Sequence, residues 1–124
     1  MNQLEWASNL DNIAPKMIEE ALPILETELK RTVQQEADRG YATGELVASI
    51  EQDRTPYKNQ YGYFGLVKPT GTDKKGVRNM EKLAYLHYGT GRQPARPVVA
   101  KAVFHARGKV LAKLTEVYSR MVEH

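Results

Sequence analysis

The residues best placed to do chemistry lie in Tyr85–Ala106, YLHYGTGRQPARPVVAKAVFHA. Gly89 and Gly91 free backbone amides, and Arg92 and Arg96 stand beside them, a combination that can cradle an anion. A nucleotide loop of the Walker type needs two glycines five apart and then Lys-Ser/Thr, so that amides wrap the phosphates and the lysine reaches them. Here the glycines are two apart and an arginine follows, so that pattern fails. A dinucleotide fingerprint needs a third glycine opening a helix, where Gln93 and Pro94 stand instead. The simpler reading is mechanical. The glycines permit a sharp reversal, Pro94 and Pro97 stiffen the exit, and an apolar pattern of helical spacing begins at once.

Other sets point to no reaction. His87, His105 and His124 lack the HxxxH or HExxH spacing of metal ligands; His87 reads as a half-buried polar residue and His105 as a solvated one. Ser8, Ser49 and Ser119 sit in no Gly-x-Ser-x-Gly elbow. Glu19, Glu20, Glu26 and Glu28 read as the solvated side of a helix. With no cysteine there is no thiol nucleophile, disulfide framework or Cys-based zinc site, which suits a reducing cytoplasm. These readings predict a non-enzymatic protein without metal or cofactor.

The elements that must hold this segment are legible in outline. At 124 residues, with 41% hydrophobic and 27% charged residues, the chain has the size and composition of one ordinary domain. It has no apolar run of about 18 residues that could span a membrane, and its first residues, MNQLEWASNLDN, lack a secretory pattern. Trp6, Leu10, Ile13, Met17, Ala21, Leu25, Leu29 and Val33 paint one stripe of a helix over roughly 3–39, with Asn2 as N-cap and Gly40 as stop. Pro15 and Pro23 predict a break near Asp11–Ala14 and a kink in the second half. Thr43 caps a short helix carrying Leu46, Val47 and Ile50 inward.

From about 51 to 68, Tyr61, Tyr63, Phe64, Leu66 and Val67 favour strand, while Pro56, Asn59 and Gln60 favour a hairpin turn. Gly62 and Gly65 indicate a bulge or tight packing against a helix. A mobile, exposed basic loop follows at about 68–78, with Lys68, Lys74, Lys75 and Arg78. The last helix runs from about 97 to 122, with Val99, Ala102, Val103, Ala106, Val110, Leu114, Val117 and Met121 on its inner face. Gly108 within it marks close contact with another element. The fold class is α+β: a bent N-terminal helix, a short helix, a small antiparallel hairpin and a long C-terminal helix.

Charge divides the chain. Residues 1–53 carry 4 Lys/Arg against 11 Asp/Glu, a sum of −7, and residues 54–124 carry 14 against 4, a sum of +10. The halves can neutralise each other within the domain, or serve as two unlike patches that attract neighbouring copies. A third use is sequence-blind, salt-sensitive contact with nucleic acid through Arg92, Arg96, Lys101, Arg107, Lys109, Lys113 and Arg120.

Tyr85–Pro97, YLHYGTGRQPARP, followed by a helix, resembles the signature of the head–tail connector, or tail-completion (neck), proteins of long-tailed double-stranded DNA bacteriophages. Tyr88-Gly89-Thr90 matches the end of their aromatic-rich turn, and Pro94 to Pro97 matches the basic, proline-containing exit. Upstream, Thr43-Gly44, Leu46 and Ser49-Ile50 match a second family pattern after the N-terminal helix. The likeness runs in order and spacing from about residue 10 to the end. His87 stands where many members carry glutamate, and Val98-Val99 where an aromatic residue is common.

The resemblance implies a virion structural protein at the neck, made in the host cytoplasm. It would form a homo-oligomeric ring, hexameric by analogy, between the portal-bound adaptor and the tail-tube protein. It would surround the DNA channel, with non-specific contact to the genome and none with a membrane. Tyr85, Tyr88, Gly89, Thr90, Gly91, Arg92, Arg96 and Pro97, with Lys74, Lys75 and Arg78 of the loop, are then the expected contacts to a neighbour or to DNA. A tail terminator and a minor capsid-morphogenesis protein are related alternatives. A small non-specific nucleic-acid-binding protein is the alternative of another class.

Overall fold

A computed structural model describes residues 3–52, 57–60 and 62–122, with side chains from residue 12 onward. The expected roles of Asn2, Trp6, Leu10, Pro56, Tyr61 and His124 lie outside what is described. The elements follow in the order α1 (Gln3–Asp38), α2 (Gly44–Ala48), β1 (Ile50–Gln52), β2 (Tyr57–Asn59), β3 (Gly62–Phe64), β4 (Val67–Pro69), α3 (Asn79–Tyr88) and α4 (Val98–Val122). The class is α+β, dominated by two long helices packed against each other.

The expected break in α1 does not occur; one helix runs through both Pro15 and Pro23. Each proline removes one hydrogen bond and costs the helix locally. Pro23 is exposed and Pro15 half-buried, however, and Ile13, Ala21, Leu22, Leu29 and Val33 are buried along one face. Packing of one side therefore overrides local propensity. The C-terminus of α1 is the stop that the sequence predicts. Gly40 adopts φ 86°, its N–H donates to Ala37, and the Tyr41 N–H donates to Glu36 at 2.9 Å. This six-to-one and five-to-two pair is a Schellman cap, which favours glycine at that position.

Thr43 caps α2 as expected, its hydroxyl accepting from the Leu46 N–H at 3.2 Å. The strands form two nested antiparallel pairs, β1 with β4 (Ile50 opposite Pro69) and β2 with β3 (Tyr57 opposite Phe64). Gly65 then passes so close to α1 that an added Cβ would lie 2.7 Å from the Ile18 and Leu22 side chains. The expected tight packing is therefore present. β4 occupies the start of the segment read as a loop, and residues 70–78 close on themselves through Asp73. Its Oδ1 accepts from the N–H of Lys75 and of Val77, and the carboxylate pairs with Lys82.

α3 is a helix where an aromatic-rich turn was expected. Leu83 and Leu86 join Leu29, Val33, Leu46, Ile50, Val98 and Ala102 in the main core. α4 also departs from expectation in its facing. Val98, Ala102, Ala106 and Val117 are buried, whereas Val99 and Val103 are exposed. The apolar sector of α4 is wider than the single helix that covers it. Gly108, expected to touch another element, does not do so among the described residues: no atom of another element lies within 4 Å of the Cβ it would carry.

Candidate subunit-contact site

The YGTGRQPARP turn is built from its base outward. Tyr88 closes α3, and Gly89 ends it at φ 82°, its N–H donating to the Tyr85 carbonyl at 2.9 Å. A Cβ on Gly89 would lie 2.7 Å from the backbone nitrogen of Ala95, so both dihedral and space demand glycine here. Thr90 and Gln93 exchange two backbone hydrogen bonds, and the Thr90 hydroxyl accepts from the Arg92 N–H at 3.2 Å. The Arg96 N–H returns to the Leu86 carbonyl at 2.8 Å, which ties the exit of the turn to α3. Val98 then begins α4, and the Val99 N–H donates to Nδ1 of His87 at 3.3 Å. His87 of α3 thus provides an acceptor at the start of α4.

The two arginines of this turn part company. Arg92 is exposed and makes no side-chain bond with another described residue. Arg96, expected to face a neighbour or DNA, turns into its own chain. Its Nη1 donates to Glu36 at 3.2 Å, and its guanidinium lies 3.3 Å from the centroid of the Tyr41 ring. Glu36 is only 3% exposed, so this is a buried pair that fastens the turn to the end of α1.

That pair is one rung of three. Lys109 reaches Glu28 at 2.8 Å, and Arg120 pairs with Glu20. Glutamates spaced eight apart on α1 thus meet three cations of the C-terminal half. Charge neutralisation within the domain is what the structure shows for these groups. The solvated reading of the α1 carboxylates is corrected for Glu28, which is 4% exposed. Its carboxyl sits below the usual range because Lys109 donates to it; burial opposes this, and Arg31 at 2.6 Å adds to the lowering. Asp73 is also held low, chiefly by Lys82 and then by the Val77 N–H.

Of the remaining predicted contacts, Tyr85 and Tyr88 are exposed, Tyr88 at 77%, and Gly91 and Pro97 lie open beside them. Lys74, Lys75 and Arg78 are exposed too but precede α3, whereas the turn follows it. Ten helical residues separate the groups by about 15 Å, so the structure makes two basic sets rather than one. Next to the turn lies a hollow of about 200 Å³ lined by Tyr41, Ala42, Thr43, Leu46, Lys82, Tyr85, Leu86 and Gln93. Sequence reasoning missed Tyr41, Glu36 and Lys82 as parts of this region. The one available signal was Gly89 behind Leu83 and Leu86, a helix stop after a helical repeat.

Among the described residues no group of three or more His, Asp or Glu could hold a metal ion, and no helix is long and apolar enough to cross a membrane. The chain matches no family model, no curated protein and no solved structure.

Proposed function

We propose that this chain is a ring-forming subunit at the head–tail junction of a long-tailed bacteriophage, where it helps join the DNA-filled head to the tail. The observation that carries the reading is how the segment bearing the family likeness is built. Gly89, the Thr90–Gln93 bridge and the Arg96–Glu36 pair make a rigid base, and Tyr88 and Arg92 project from it. Tyrosine and arginine on a pre-organised mount are residues that supply most of the energy at protein contacts. The hollow under Tyr41 and Tyr85 adds a concave surface to the same region.

In this reading the turn contacts the next copy or the adaptor, while Lys74 and Lys75 on the separate loop are free to face DNA. The ring partners are those that the likeness implies, the portal-bound adaptor and the tail-tube protein. Deleting the gene in the producing phage should give filled heads and separate tails, and native mass spectrometry of purified necks should find the chain as a ring. A chain absent from virions would sink the reading. The nucleic-acid alternative loses support, because Arg96, Lys109 and Arg120 already answer carboxylates of α1. Duplex binding that collapses between low and physiological salt would restore it.

A further inference from the structure

α4 has a second seam on the side away from α1. Phe104, Leu111, Tyr118 and Val122 are exposed, Phe104 at 65% and Leu111 at 58%. With Lys101, Gly108 and Thr115 they recur at alternating steps of three and four, the 3.5-residue period by which one helix lies along another. Along this seam the large residues Phe104, Leu111 and Tyr118 alternate with the smaller Gly108 and Thr115. Gly108 weakens the helix it sits in, and among the described residues no other element comes within 4 Å of the Cβ it would carry. A bare backbone at the centre of an apolar seam is where another helix can approach closely.

We infer that the occupant is a second copy of this chain, its α4 running antiparallel about a two-fold axis between residues 109 and 110. In that register Leu111 of each copy faces Gly108 of the other, Phe104 faces Thr115, and Tyr118 faces Lys101. Every large side chain meets a small one or, for Tyr118, a cation that can lie on its ring. Charge permits the pairing. Lys109, Lys113 and Arg120 lie toward α1, two of them answering Glu28 and Glu20, so the cations left at the contact are Lys101, opposite Tyr118, and Arg107, which lies 5.4 Å from its own Phe104 ring. The exposed apolar area is roughly 400 Å² per copy, within the range of a functional patch. With its polar flanks a pair buries on the order of 1,000 Å², the floor for a specific interface.

An isologous contact closes at two copies and cannot propagate a ring. It therefore covers α4 in the free protein, and it does not rest on the head–tail reading. Light scattering coupled to gel filtration, from micromolar to hundred-micromolar concentration, should give twice the 14.0 kDa chain at the upper end. Leu111→Glu and Gly108→Leu should each weaken the dimer roughly tenfold or more. Gly108→Leu should at the same time raise the melting temperature of dilute, monomeric protein, which separates lost pairing from lost folding. Thr115→Cys, the sole thiol in its variant, should not cross-link, since the two copies of residue 115 lie about 16 Å apart along the axis. A monomer throughout the range, a dimer indifferent to Gly108→Leu, or efficient cross-linking through Cys at 115 would each overturn the inference.

Discussion

The two ends of the α1–α4 pair use the same materials to different effect. At one end α2, α3, β1 and β4 gather round the close of α1 and the start of α4, and Ile50, Val33 and Val98 are wholly buried. Toward the other end the two helices have mainly each other and the linker at Gly65. An apolar cleft of about 170 Å³ lies there between Ile18, Leu22, Leu25, Val110 and Leu114. Both ends carry a glutamate–arginine pair. Glu36–Arg96 has side chains 3% and 21% exposed, whereas Glu20–Arg120 has 26% and 46%. The lesson is that a charge pair takes its importance from the layer that covers it. Water screens the outer pair, while the inner one has given up water and depends on its partner.

Arg96→Ala tests the difference most strongly. It leaves the buried Glu36 only the solvent-facing Arg39, at 3.5 Å, and removes the cover of Tyr41, so it should cost about 3 kcal/mol in chemical denaturation. Arg96→Lys should recover only part of this, because an ammonium cannot stack as a planar guanidinium does. A smaller loss, about 2 kcal/mol, is expected for Gly89→Ala, from the positive φ and the approach of Ala95. Tyr88→Ala on the same turn should leave stability almost unchanged and weaken only assembly, since its side chain is exposed.

Acid reads the middle rung. Glu28 is held low in the folded chain, so its contribution is complete above the usual carboxylate range and fades as pH falls through the folded value. Stability should therefore decline below about pH 4, and Lys109→Met, which removes the largest cause, should flatten that decline. Asp73 titrates in the same direction, and Lys82→Met should act on its share. The smallest effect belongs to Arg120→Ala, below about 1 kcal/mol, measured by the same denaturation. If it equalled Arg96→Ala, the contrast between the ends would fail.

Much of the scaffold was legible because it is written in local chemistry. The Gly40 stop, the Thr43 cap, the tight packing at Gly65 and the extent of α4 each follow from one residue type or one period. α3 was missed because its two tyrosines and Gly-Thr looked like a turn, and its helical signal is only Leu83 and Leu86. The candidate site was half legible. Gly89 is the turn glycine that its type suggests, and Tyr88 and Arg92 are exposed beside it, but Arg96 turns inward. Nothing local marks Glu36 and Tyr41 as its partners, sixty and fifty-five residues upstream.

What the sequence determined by itself are the features that a short stretch can enforce: helix stops, caps, turn glycines and the apolar periods. Tertiary structure alone decided three things. It carried α1 through two prolines, because the packed face outweighs the missing hydrogen bonds. It matched acidic and basic halves rung by rung, because only the antiparallel approach of α1 and α4 sets which charges meet. It also left one side of α4 uncovered, because a single helix can bury only one of the two sides on which α4 carries apolar residues.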